Sequence, residues 1–287
     1  MNSLLTHYLS DKVRRDILST AYLVWTSLEL FCSLVTYFSS FDLSIARQGY
    51  LGFGLVLLVG LAYGFWHCRP FTTFVFTDHS GLDLAVRVGD VFEEHGNLVV
   101  GMSDCFDTKI GTVISQESLQ GQLVGRLYGG DVDRFEKDVK SALKTLSIVP
   151  VTDPTKKSGK CSRYPLGTTI VLSSGSRKIF APAYATMGSN LMARSTIGDM
   201  WKTLGGLWDI VRANGDMQPL VMPIIGTDRA RVEGVNNKYQ TMAKLILLSY
   251  VLFARTQPIA KSFILMVSAA DASQIDFYDL RDFLTHI

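Results

Sequence analysis

LAVRVGDVFEEHGNLVVGMSDCFDT, residues 84–108, decides the reading of the fold. Its first part completes an apolar–polar alternation that begins at Leu82 (LDLAVRV), so it reads as a strand, and it stops at Gly89-Asp90. After a polar turn, Asn97–Val100 (NLVV) is a short apolar run that reads as a buried strand and stops at Gly101. Two strands that each end in glycine and run into a polar loop suit the carboxyl edge of an open α/β sheet, where ligands bind.

Working outward, strand and helix signals alternate to the end of the chain. Val132–Leu146 has Phe135, Val139 and Leu143 at helical spacing. Thr168–Leu172 and Lys178–Tyr184 read as strands joined by a turn at Ser174-Gly175. Thr196–Asn214 reads as a helix with Met200, Trp201, Leu204, Leu207, Trp208 and Val211 on one side. Gln218–Ile225 is a strand that runs into Gly226, Tyr239–Ala254 an apolar crossover helix, Ser262–Val267 a last strand and Ile275–Leu284 a last helix. The pattern predicts an α/β domain over residues 82–287, a largely parallel or mixed sheet covered on both faces in three layers. No internal repeat is present.

Upstream, two apolar stretches, about Ile17–Phe38 and Tyr50–Cys68, each reach the roughly 20 residues that a membrane-spanning helix needs. They predict a transmembrane hairpin over residues 1–69, joined to the α/β domain by a connector at 70–81. Lys12, Arg14 and Arg15 before the first stretch and Arg69 after the second place both termini on the cytoplasmic side of the cell inner membrane. Glu29 falls near the middle of the first span, where a carboxylate costs roughly 2.5–3.5 kcal/mol on insertion scales. It is either a residue of a helix interface or aqueous path in an oligomer, or a protonated or interface-shifted acid. Gly60 and Gly64 form GxxxG in the second span, a spacing that lets helix backbones approach within the hairpin or between copies.

Composition narrows the function. The 287 residues hold 28 Lys and Arg against 26 Asp and Glu, and a net charge of +2 gives no footprint for nucleic acid. Lys156, Lys157 and Lys160, set among Thr, Ser and Gly, read as a solvated loop. Four cysteines without a CxxC pair or a zinc-like Cys/His spacing predict neither a metal site nor a structural disulfide. The five histidines make no constellation with a nucleophile and an acid, so no catalytic residue is assigned.

Three strand ends carry candidate binding chemistry. Asp90, followed by Val91, is a carboxylate able to accept from an exocyclic amine such as that of adenine; its alternative role is a turn or helix cap. In the loop Gly101–Thr108, Ser103, Asp104, Asp107 and Thr108 present polar groups, and the acids either accept from ribose hydroxyls or cap the next helix. In the third, Gly226-Thr227-Asp228-Arg229, glycine lets successive N–H groups turn towards one anion and the arginine supplies positive charge, against the alternative of a solvated loop. The GxxxxGK[ST] phosphate loop is absent.

Taken together, LAVRVGDVFEEHGNLVVGMSDCFDT, YPLGTTIVL and LVMPIIGTDRARV resemble the macro domain, an ADP-ribose-binding fold, over roughly residues 82–287. With the two apolar stretches before it, the chain is similar to the membrane-bound macro-domain effectors of type II Thoeris anti-phage defence. The resemblance implies a receptor rather than an enzyme. A partner TIR-domain enzyme would make an ADP-ribose-derived messenger, histidine-conjugated in type II systems. The macro domain would bind it without a resident cofactor, copies would oligomerise, and the spans would disrupt the membrane in abortive infection. It also implies that Asp90 bonds the adenine amine, that Asp104 stands near the distal ribose where macro domains carry Asn, and that Gly226–Arg229 form the second phosphate loop. The usual glycine triplet after that Asn is missing. Two further readings stand beside it: a membrane-anchored ADP-ribosyl hydrolase, and a structural membrane protein with an empty macro fold.

Overall fold

The computed structural model describes residues 11–38, 58–59, 61–63, 73–77, 81–111, 113–156, 158–227, 231–232 and 237–287. The chain divides into two units, Met1–Phe71 and Thr72–Ile287.

In the first unit, helix α1 spans Asp11–Phe38 and contains the whole of the first apolar stretch. Among the described residues no helix is long and apolar enough to cross a membrane. The expected two-span hairpin is therefore overturned, and with it the inner-membrane placement and the reading of Glu29 as an intramembrane acid. The physical reason lies in α1 itself. Its first turns carry Asp11, Lys12, Arg14, Arg15 and Asp16, and Ser19, Thr20, Thr26, Ser27, Glu29 and Ser33 interrupt the rest. The second stretch lies outside the described residues except at 58–59 and 61–63, and Gly60 and Gly64 lie outside them.

The second unit is built on one mixed sheet. Its strands are β1 (Thr73–Thr77), β2 (Asp83–Val88), β3 (Asn97–Val99), β7 (Thr169–Ser174), β8 (Arg177–Met187), β10 (Leu220–Pro223) and β12 (Phe263–Val267). They lie in the order β1-β2-β12-β10-β3-β8-β7. The five central strands run parallel, and β1 and β7 close the edges antiparallel. Val86 and Leu265 face each other across β2 and β12, both at most 1% exposed, which is the continuous apolar filling a doubly covered parallel sheet requires. The passage read as a connector contains β1, whose TFVFT is rich in the β-branched and aromatic residues that strands favour. Short strands extend the carboxyl side: β4 (Met102–Ser103) beside β8, β9 (Ala193–Ser195) beside β8, and β11 (Arg231–Val232) beside β9. A separate hairpin, β5 (Val151–Thr152) with β6 (Ser162–Arg163), forms a strap.

Helices α2 (Leu119–Leu127) and α3 (Val132–Thr145) cover one face. Asp131 caps α3 by accepting from the Arg134 N–H at 2.9 Å, and the stripe Phe135, Val139 and Leu143 packs onto Ile170, Leu172 and Ile179. On the other face, α4 (Ile197–Asn214) opens with a reciprocal capping box between Thr196 and Asp199. It packs against α5 (Lys238–Thr256), and α6 (Phe277–Thr285) packs on α5 and β1. Here Tyr250 stacks on Phe263 at 4.1 Å, and Trp208 meets both rings edge-on at 5.2 and 5.7 Å, its Nε1–H donating to Ser249.

Asn97 starts β3 and ties three elements together. It is buried, its amide donates to Gly215 O at 2.8 Å, and its oxygen accepts from the Lys178 N–H at 3.0 Å. Asn97→Ala strands both backbone groups, and we expect a loss of about 2 kcal/mol in urea unfolding.

Candidate functional site

The parallel strands β2, β12, β10, β3 and β8 all end on one side, and a cleft of about 200 Å³ opens there. One wall is the exit of β3 with β4 (Gly101, Met102, Ser103). A second is the entrance to α2 (Val113, Ile114, Ser115, Ser118, Leu119, Gln120). A third is the end of β8 together with the turn leading into β9 (Tyr184, Ala185, Met187, Leu191, Ala193). The exit of β10, Pro223 to Thr227, completes it. Among the described residues no charged side chain lines this cleft.

Two backbone features suit the cleft to an anion. The amino end of α2 lies at it, with Ser118, Leu119 and Gln120 among the lining residues, which puts the positive end of the helix dipole there. Ser118 caps that end, accepting from the Gly121 N–H at 3.1 Å and donating to Ser115 O at 2.6 Å. On the β10 side, Gly226 has φ +82°, and a Cβ there would lie 2.8 Å from Met200 Cε and 2.9 Å from Val232 Cγ2. Gly101 is equally confined, since a Cβ would stand 2.5 Å from Cε1 of Tyr184. At both positions the missing Cβ lets the protein's own side chains pack against the backbone that forms the cleft wall.

The structure distributes the candidate residues unevenly. Ser103, Gly226 and Thr227 come together in the cleft. Asp228 and Arg229 lie outside the described residues. Asp90 stands where β2 ends, away from these walls; Val91 is buried in the core. The Asp90 carboxylate accepts from the Phe92 N–H at 2.9 Å and pairs with Arg126 at 2.5 Å, and Arg126 lies over the Phe92 ring at 5.2 Å. The Asp90–Arg126 pair is more than a third exposed on both sides, so a ligand can displace it at little cost.

Asp104 and Asp107 turn away from the cleft to hold the strap. Asp104 accepts from the Met187 N–H at 2.9 Å and pairs with Arg163 of β6 at 2.7 Å. Asp107, 1% exposed, pairs with Lys156 at 2.5 Å and accepts from the Lys160 N–H at 2.6 Å. Lys160 Nζ donates to Phe106 O, and burial lowers its pKa. Thr108 is buried beside them at 3% exposure. Lys156 is 4% exposed, which corrects the reading of its segment as a solvated loop. The Cys105 thiol between these groups is fully buried, and burial with the Asp104 charge pushes its pKa up to about 11. It is a neutral packing group at physiological pH.

Sequence reasoning missed α2 and the strap. The α2 entrance carried a signal in Ser118, an N-cap residue type just before Leu119. The strap carried none, because Lys156 and Asp107 meet across 49 residues of chain.

The profile described as "Thoeris protein ThsA, Macro domain" matches residues 84–268, more than half of the chain. No curated protein matches. Solved structures with the same fold include two variants of the Oceanobacillus iheyensis macrodomain, one of them with ADPR, and that macrodomain with ADP. All are 14% identical and cover 75% of this chain. The ADPR variant is covered over 100% of its length at a TM-score of 0.50, the other variant over 95% at 0.51, and the ADP structure over 98% at 0.50.

Proposed function

Since the chain belongs to the family of Thoeris ThsA macro domains, we propose that its Thr72–Ile287 unit is a receptor for an ADP-ribose-type nucleotide in anti-phage defence. The observation that carries the reading is the cleft itself: a pocket at the strand ends, with no charged side chain among its described lining residues, whose one wall is a helix amino terminus and whose other is the Gly226 turn. Such a site holds a diphosphate through backbone N–H groups. The finer reading is that the ligand is a histidine-conjugated ADP-ribose made by a partner TIR-domain enzyme, and that binding drives copies of the chain to assemble. A ligand shifts assembly only by its differential affinity for the two states, so the assembled form must bind it more tightly.

Binding is favoured over turnover by the same geometry. A hydrolase needs a group near the distal ribose that activates water. Both oxygens of Asp104 are engaged by the Met187 N–H and Arg163.

The test is calorimetric titration of the full chain with ADP-ribose, ADP and histidine-conjugated ADP-ribose, with light scattering for assembly and chromatography of the recovered nucleotide. The expected result is saturable binding, larger particles with the conjugate, and unchanged nucleotide. Flat titrations would end the receptor reading, and nucleotide or ADP-ribosyl-protein cleavage would replace it with the hydrolase. Asp90→Ala is expected to weaken ADP-ribose about tenfold while leaving the fold intact, because its partner Arg126 is solvent-exposed. Unchanged affinity in that variant would remove Asp90 from the site.

A further inference from the structure

Strand β1 (TFVFT) forms an edge of the sheet, and among the described residues no strand pairs with its outer side. Folded proteins guard such edges with charge, proline, a bulge or a covering element, because an open ladder invites another strand. The first three are missing here. TFVFT holds no charged residue and no proline, and its pairing with β2 runs without a break from Thr73 opposite Arg87 to Thr77 opposite Asp83. The opposite edge is covered: α3 and α4 both contact β7, and Thr169, Ile170 and Leu172 are buried. On β1, α6 packs on the strand and Phe74 is buried, while Thr73, Val75 and Thr77 are exposed, Val75 at 64%. An exposed β-branched row on an uncharged edge is a surface for strand addition.

We infer that β1 pairs with the β1 of a second copy of this chain, antiparallel about a twofold axis at Val75. The strand itself selects that occupant, because TFVFT reads the same in both directions. In antiparallel pairing Thr73 meets Thr77 of the second copy, Phe74 meets its Phe76, and Val75 meets its Val75. Each contact joins like with like, in the threonine, aromatic and β-branched pairs that stabilise sheets, and a twofold contact requires such self-complementarity. The charges agree. On β2, Arg87 lies beside Thr73 and Asp83 beside Thr77, so antiparallel pairing sets the arginine row of one copy against the aspartate row of the other. Parallel pairing would set arginine against arginine. Five residues a side fall well short of the roughly 20–30 of a standard interface, so the contact is weak and forms as concentration rises. The cleft lies at the ends of β3, β8 and β10, beyond β2 and β12 as seen from β1. Pairing therefore leaves it open, and the inference does not rest on the receptor reading.

The test uses the full chain without nucleotide. Wild type is expected to sediment as a monomer–dimer mixture that shifts towards dimer as concentration rises. Val75→Lys places two ammonium groups opposite each other on the axis. It is expected to weaken association at least about tenfold and, because Val75 is exposed, to leave the melting temperature of the dilute monomer unchanged. Cysteine variants read the register. The axis brings the two Val75 Cβ atoms about 4.5–5.5 Å apart, close to disulfide range. Val75→Cys is therefore expected to give a crosslinked dimer under mild oxidation, above the wild-type background. Thr73→Cys and Thr77→Cys chains should crosslink when mixed and not when oxidised alone. Association unchanged by Val75→Lys, no crosslink from Val75→Cys, or a Thr73→Cys crosslink without its counterpart would each overturn the inference. A lower melting temperature in Val75→Lys would overturn it as well, by showing that the chain covers this edge itself.

Discussion

Lys156→Met is expected to destabilise the protein by about 3–5 kcal/mol, read as a fall in the urea midpoint at unchanged slope. The Lys156 and Asp107 side chains are 0% and 1% exposed and meet at 2.5 Å. Removing the ammonium leaves Asp107 ionised in a site shielded from solvent, still accepting from the Lys160 N–H but with its second oxygen unmatched. It must then be protonated or drawn to the surface, and either route opens the strap. Lys160 O, which accepts from Lys156 at 2.8 Å, loses its partner too. The strap cannot slide to compensate. Gly159 at φ +78° already stands so close that a Cβ there would lie 2.3 Å from Asp107 Oδ1. The double variant Lys156→Met with Asp107→Leu removes both charges and is expected to regain most of the loss, since a buried pair replaced as a unit by apolar groups is often neutral. A single variant within about 1 kcal/mol of wild type would show that water reaches the pair.

The same pair explains what the sequence yields and what it withholds. The strands at 83–88, 97–99, 220–223 and 263–267 and the helices at 132–145 and 197–214 lie where alternation and helical spacing put them. Those signals are local: each residue's face follows from its neighbours two or four positions away. Ser103, Gly226 and Thr227 come together because glycine and polar residues at strand ends mark the carboxyl edge of the sheet, which is a topological rule. Asp104 and Asp107 read identically in sequence, as loop carboxylates that either accept from ribose hydroxyls or cap the next helix. Their partners Arg163 and Lys156 lie 59 and 49 residues away on a strap whose two-residue strands have no periodicity. The apolar stretch of α1 misled for a different reason. Length satisfied the requirement for a membrane span while the polar residues along the helix did not.

Gly226→Ala is the second large effect. At φ +82° an alanine meets the left-handed cost of about 1–2 kcal/mol. Its methyl also falls 2.8 Å from Met200 Cε and 2.9 Å from Val232 Cγ2, and overpacking of that kind adds about 1–3 kcal/mol. Met200 can swing its thioether end aside. Val232 is β-branched and 6% exposed, so the turn itself has to move. The turn is one wall of the cleft, facing the amino end of α2, and the proposed diphosphate needs both walls at hydrogen-bond distance at once. The expected outcome is a loss of about 2–5 kcal/mol in unfolding free energy and an ADP-ribose affinity at least about a hundredfold weaker. Gly175→Ala separates the two contributions. It has φ +59° in the β7–β8 turn with nothing within 4 Å of its Cβ position, so it should show only the backbone cost and bind as wild type does. If Gly226→Ala and Gly175→Ala bind ADP-ribose equally well, the phosphates are held elsewhere and the Gly226 turn is not a wall of the binding site.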